Sequence, residues 1–160
     1  MKIETAVLLH NIRSAFNVGS IFRTSDAAGG SKVFLSGYTP RPIDKFNRVQ
    51  PAITKTALGA DKYIPWEYEK DPYRIIAKLR AEGWHIVAVE QDIESIDYRK
   101  FKPKNKTLFI FGNEVRGISS ALRKKCDVTL EIPMRGKKES LNVAVTAGII
   151  LFSVAAKREK

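Results

Sequence analysis

The 160 residues carry 28 Lys and Arg against 17 Asp and Glu, a formal charge of +11, and 44% of them are apolar. That length and apolar share suit one domain over residues 1–160 with a packed core, and they exclude a disordered chain. The charge favours an anionic partner, and the single cysteine, Cys126, excludes an internal disulfide and a multi-cysteine zinc site.

In chain order, short β-branched runs predict strands over residues 5–9, 32–35, 62–64, 85–89, 107–111 and 127–132. Helices alternate with them. The first spans residues 17–28, with Asn17 as its capping residue and Gly29-Gly30 as its end. The second spans residues 71–82, capped by Asp71, with Pro72 in the first turn, Ile75, Ile76 and Leu79 on one face, and Gly83 as the stop. The last runs from about Leu141 to Lys157 and is apolar enough to be buried along most of its length. Cys126 lies in segment 122–130 and reads as a small core residue, not a nucleophile. His10 and His85 offer little to a His-based metal site or a Ser-His-Asp triad. No apolar run has transmembrane length, and the first ten residues are too short and polar for a signal peptide, so the expected location is the cytosol.

Alternating strands and helices predict an α/β fold, a mostly parallel sheet with helices on both faces. Ligands of such sheets bind at the carboxyl ends of the strands, which directs attention to the loops after Val89, Phe111 and Ile132. Two long polar loops remain, residues 37–52 and 92–106. The first carries Arg41, Lys45 and Arg48 alongside Tyr38 and Phe46; the second ends in Lys-Pro-Lys-Asn-Lys. A solvated surface and a nucleic-acid contact both fit loops of this kind.

Three clusters stand out. Asn17-x-Gly-x-x-x-Arg23 places an Asn and an Arg nearly two helical turns apart, and Gly19 lets another chain approach the backbone. Arg23 follows Ile21 and Phe22, where a buried unpaired guanidinium would be costly. Gly112-x-Glu114-x-x-Gly117 follows a strand; Gly112 permits a ligand to come close and Glu114 supplies a carboxylate. Ile132-Pro133-Met134 precedes Ser140-Leu141-Asn142-Val143-Ala144, where Ser140 is placed to cap the final helix beside an anion-friendly terminus. A plain cap and a turn with a surface acid account for these residues singly, but not for all three clusters in this order. The Gly-x-Gly-x-x-Gly dinucleotide fingerprint is absent after the first strand.

In this order and spacing the clusters resemble the three motifs of the SpoU/TrmH family of SPOUT-class RNA methyltransferases. Thr56-Ala57-Leu58-Gly59-Ala60 is similar to a further family segment, and the resemblance spans about residues 5–155. It implies a C-terminal deep trefoil knot and a homodimer with active sites at the subunit interface. It implies S-adenosylmethionine as cofactor, held by Val89, Glu90, Gly112, Ile132, Leu141 and Asn142, and no metal. It implies methylation of a ribose 2′-hydroxyl, with Arg23, Asn17, Glu114, Ser140 and Asn142 as catalytic residues. A guanidinium is a poor base at neutral pH. Arg23 is therefore expected to hold the phosphate beside the target ribose and polarise the hydroxyl. Ser140 would bind that phosphate or orient Arg23, Asn17 and Glu114 would fix Arg23 and the loops, and Asn142 would position cofactor and ribose. A minimal member without an added RNA-binding domain is expected to take transfer RNA before ribosomal RNA. The rival readings are a non-catalytic RNA-binding protein on the same fold, a base methyltransferase of the wider knotted class, and a nicotinamide-dependent oxidoreductase.

Overall fold

A computed structural model describes residues 3–158. Seven strands form one sheet in the order β3-β2-β1-β6-β4-β7-β5, and every neighbouring pair is parallel. The central strands are β1 (Glu4–His10), β6 (Lys106–Phe111) and β4 (His85–Val89). β2 (Lys32–Ser36) and β3 (Trp66–Tyr68) extend one side, and β7 (Val128–Glu131) and β5 (Ile96–Asp97) the other. The α-helices are α1 (Ala15–Ala27), α2 (Pro51–Ala57), α3 (Ala60–Tyr63), α4 (Pro72–Ala81), α5 (Ser120–Arg123) and α6 (Val143–Arg158).

The two-residue period of the strands divides the core between the two faces. Val7, Leu9, Val33, Val87 and Phe109 pack against Val18, Ile21 and Phe22 of α1 and Ile150 and Val154 of α6. Leu8, Phe34, Ile86, Leu108 and Ile110 pack against Ile75, Ile76 and Leu79 of α4 and Leu122 of α5. Both faces are therefore covered, which is why the central strands read as continuous apolar runs.

Several sequence expectations need correction. Residues 62–64 are not a strand: Lys62 and Tyr63 complete α3, and the edge strand lies just beyond, at Trp66–Tyr68. Pro65 lacks an N–H and marks the boundary between them. The loop over residues 92–106 contains β5 and the 3₁₀ turn Tyr98–Lys100, too short to show a period. Helix α1 starts earlier than expected. Its cap is Ser14, whose Oγ accepts from the Asn17 N–H at 3.2 Å, and this frees the Asn17 side chain. Helix α6 is capped by Asn142, whose Oδ1 accepts from Ala144 N at 2.8 Å and Val145 N at 3.4 Å; Ser140 lies before it. Nor is α6 buried along most of its length. Val145 and Phe152, seven residues apart on one face, stand 51% and 49% exposed among the described residues.

What comes close to Gly19 is α2 of this same chain. A Cβ at Gly19 would lie 2.0 Å from Thr56 Oγ1 and 2.4 Å from the Ile53 carbonyl oxygen. Thr56 Oγ1 also donates to the Phe16 carbonyl at 2.9 Å, so the two helices are locked at this crossing. Gly19→Ala must push backbone aside, and it should cost about 1–3 kcal/mol or more of stability, read as a lower melting temperature.

Candidate active site

The carboxyl ends of β4, β6 and β7 open into a cleft of about 440 Å³. Three segments line it: residues 89–91, residues 111–117, and the stretch from Leu130 through the first turn of α6. Val89, Glu90, Gly112, Glu114, Ile132, Ser140, Leu141 and Asn142 are all in the lining. Asn17 reaches its edge through hydrogen bonds to two of them.

Glu114 organises this corner. Its Oε2 accepts from the Arg13 N–H at 3.0 Å, and its Oε1 from the Ser14 N–H at 3.1 Å and from Asn17 Nδ2 at 3.2 Å. Asn17 Oδ1 in turn accepts from Asn142 Nδ2 at 3.2 Å. The carboxylate of one motif thus holds the entry of α1, and through Asn17 the entry of α6. Partial burial opposes the charged form of Glu114, but the backbone donors of Arg13 and Ser14, with the Asn17 amide, outweigh it and lower the pKa.

Glu90 ties the second segment in. Its Oε1 accepts from Gln91 N at 2.9 Å and its Oε2 from Ile118 N at 2.9 Å. Gly112 is required for a reason other than the ligand approach expected of it. A Cβ there would lie 2.6 Å from the Gly117 carbonyl carbon and oxygen and 2.7 Å from Ile118 Cγ1. The glycine closes the 112–117 turn on itself, so a side chain at this position disturbs the turn before it meets any ligand.

Arg23 stands apart. It is exposed, not buried, and it is absent from the cleft lining. Six residues along α1 from Asn17 is about 9 Å of helix axis. There Arg23 shares a second concavity of about 470 Å³ with Ser20, Thr24, Lys55, Leu58 and Phe152. Asn17 and Glu114 hold each other and the helix entries; they do not hold Arg23.

Asn113 occupies a variable position of the Gly112-x-Glu114-x-x-Gly117 motif and was not among the expected site residues. It is buried, and its Nδ2 donates to the Asn11 carbonyl at 3.0 Å and to Tyr38 Oη at 2.9 Å. Its Oδ1 accepts from Val115 N at 2.9 Å and Arg116 N at 2.8 Å. The available signal was an amide at the end of an apolar strand, where a buried side chain must find several partners. His10 lies in the same region, its Nδ1 2.8 Å from Ser36 Oγ, with its pKa lowered by burial against a weaker opposing pull from Asp71. Cys126 is half-buried, 3.4 Å from the Leu122 carbonyl, and burial pushes its thiol up to about 12, which keeps it protonated. Among the described residues, no group of three or more His, Cys, Asp or Glu side chains converges in a way that could hold a metal ion. Nor is any described helix long and apolar enough to cross a membrane.

Residues 4–152 match the profile of the SpoU rRNA Methylase family. A 23S rRNA (guanosine-2'-O-)-methyltransferase of Pseudomonas syringae is 32% identical over 152 residues, covering 95% of this chain and 58% of the relative. A tRNA (guanosine(18)-2'-O)-methyltransferase of Aquifex aeolicus is 30% identical over 157 residues, covering 98% of this chain and 71% of the relative. The crystal structure of an AdoMet-bound rRNA methyltransferase from Sinorhizobium meliloti superposes with a TM-score of 0.88 at 30% identity, covering 98% of this chain and 57% of that one. The chain spans about 60% of the length of several of the curated relatives it matches.

Glu114→Gln tests the carboxylate clamp. An amide offers one acceptor oxygen where three N–H donors converge, so stability at neutral pH should fall by about 1–2 kcal/mol, the lower part of the range because the group is half-exposed. Since the folded pKa is lowered, the clamp contributes fully above the ordinary carboxyl range and is lost as acid protonates the folded carboxylate. Melting curves across pH should therefore show the gap between wild type and variant closing only in acid.

Proposed function

This chain belongs to the SpoU rRNA Methylase family, and from that premise we propose that it transfers the methyl group of S-adenosylmethionine to a ribose 2′-hydroxyl of RNA. The observation that carries the reading is the meeting of all three motifs at one strand-end cleft, with Glu114, Asn17 and Asn142 joined by hydrogen bonds. The cleft fits the cofactor in size and chemistry. Val89, Ile132 and Leu141 provide apolar walls for a purine, and Glu131 and Glu139 provide acceptors for hydroxyl and ammonium groups. The three loops that line it are those through which the implied knot would run.

When bound, the sulfonium supplies an activated methyl group. Transfer would form a C–O bond at the ribose oxygen at the expense of the methyl–sulfur bond, with the hydroxyl proton released to solvent. The chain's own part is positioning and charge, which together account for several kcal/mol of a barrier of this kind. Glu114 and Asn142 fix the cleft walls, Ser140 faces the incoming ribose phosphate, and Arg23 neutralises that phosphate and polarises the hydroxyl. Arg116 in the lining and Arg135, Lys137 and Lys138 in the segment before Ser140 are exposed cations facing a polyanion.

Arg23 lies outside the cleft lining of its own chain. We infer a homodimer in which the exposed apolar face of α6, with Val145 and Phe152, packs on a second copy and brings Arg23 to the partner's cleft. Transfer RNA is the substrate to try first: the tRNA-modifying relative is matched over 71% of its length, the rRNA-modifying one over 58%. The cytosol is the proposed location.

Incubation with total RNA and methyl-labelled cofactor, followed by digestion, should give a labelled 2′-O-methylnucleoside. Label on a base would overturn the ribose assignment, and cofactor binding without transfer to any RNA would favour a non-catalytic RNA-binding protein. Subunit mixing tests the dimer. Arg23→Ala and Leu141→Arg, the latter obstructing the cleft, should each be nearly inactive. Co-refolded in equal amounts, they should recover on the order of a quarter of wild-type activity, because half of the dimers then hold one intact site. No recovery would place Arg23 in its own subunit's site.

A further inference from the structure

We propose that the loop between β2 and α2 is a preformed stacking platform for an unpaired base of the RNA, an inference that rests on the reading of RNA as substrate. The loop carries three cations, Arg41, Lys45 and Arg48, against one acid, Asp44. It also exposes two aromatic rings, Tyr38 at 58% and Phe46 at 66%.

The loop is ordered by its own bonds. Asp44 Oδ1 accepts from Phe46 N at 2.8 Å and Arg48 N at 3.0 Å, and Asp44 Oδ2 lies 2.7 Å from Arg48 Nε. Asp44 N donates to the Arg48 carbonyl at 3.0 Å, and Ile43 bridges Val49. This hairpin holds Phe46 out at its tip, with Lys45 Nζ 5.1 Å and Arg48 Cζ 5.0 Å from the ring centroid. At the root, Arg41 lies 4.1 Å over the Tyr68 ring, and Tyr68 Oη donates to the Gly37 carbonyl at 2.6 Å.

The root is also joined to the cleft, because Tyr38 Oη accepts from Asn113, which lines it. Phe46 remains two-thirds exposed even with Lys45 and Arg48 over its ring, on a loop already ordered, so this chain buries little of the phenyl. The arrangement fits a nucleobase stacked on the ring with its phosphates on the flanking cations. A second copy of the chain is the less favoured occupant, since two such cationic loops would repel.

The test uses the full chain with a fluorescent, unstructured RNA of about twelve nucleotides and with the same strand annealed to its complement. Phe46→Ala should weaken binding of the single strand by roughly tenfold or more and leave the duplex little affected, and Phe46→Trp should retain affinity. Arg41→Ala and Lys45→Ala should each lower the log–log salt slope by about 0.7. Cofactor affinity by calorimetry and the elution volume should stay unchanged. Unaltered single-strand affinity, or equal weakening for the duplex, overturns the platform. So does a shift of Phe46→Ala to a smaller species, which would make the loop a contact between copies. Methyl transfer by the wild type, measured in parallel, separates the two readings. Transfer without a Phe46 effect defeats the platform alone; a Phe46 effect without transfer to any RNA defeats the enzyme reading and leaves the platform standing.

Discussion

The carboxylate of Glu114 faces three N–H donors, and the arrangement of the cleft follows from that one meeting. Two of the donors are backbone groups at the entry of α1, where the helix leaves its own N–H groups unpaired. A negative charge placed there is favoured by the helix dipole and also joins two segments a hundred residues apart. The third donor, the Asn17 amide, passes the constraint to Asn142 and so to the start of α6. A shift at the 112–117 turn would therefore move both helix entries together. The Gly112–Gly117 contact resists such a shift, because it leaves no room for a side chain.

The same helix that Glu114 anchors carries Arg23 outside the cleft lining. Asn17 hydrogen-bonds into the cleft, whereas Arg23, six residues on, lines the second concavity instead. The apolar face of α6 supports the proposed second copy. Val145 and Phe152 remain in water in a single chain, and burying them against a partner recovers the hydrophobic free energy that isolated exposure forgoes. Phe152 lies beside Arg23 in the second concavity, so the surface that seeks cover is also the surface that holds the cation.

Charge is distributed unevenly over this frame. Glu90 and Glu114 are engaged by backbone donors inside the cleft, while Arg116, Arg135, Lys137 and Lys138 lie free around it. Anionic walls near a sulfonium and cationic margins near a phosphodiester are what the proposed pair of substrates requires. The loop with Tyr38 and Phe46 extends the cationic margin and adds aromatic surface, and its internal bonds leave little conformational entropy to lose on binding.

The α/β alternation, the parallel sheet and the three loops that line the cleft were legible from the residues alone. These are local matters: β-branched apolar runs make buried parallel strands, Asp71-Pro72 starts a helix, and strand ends gather ligands. Strand 85–89 coincides with β4, and the residues named for the cofactor all line one cleft. Local signals failed where the deciding partner was distant. Residues 62–64 look like a strand, but Pro65 and the neighbouring strand β2 set the pairing at Trp66–Tyr68. Asn17 and Ser140 have the composition of caps, yet Ser14 and Asn142 do the capping, because Glu114 claims the side chain of Asn17 and Asn142 sits where the turn begins. Only the packing of distant segments places Gly112 on Gly117, joins three segments through Asn113, and leaves Arg23 outside the cleft lining. Each depends on which chain segment lies across from it in space, and no periodicity along the chain carries that information.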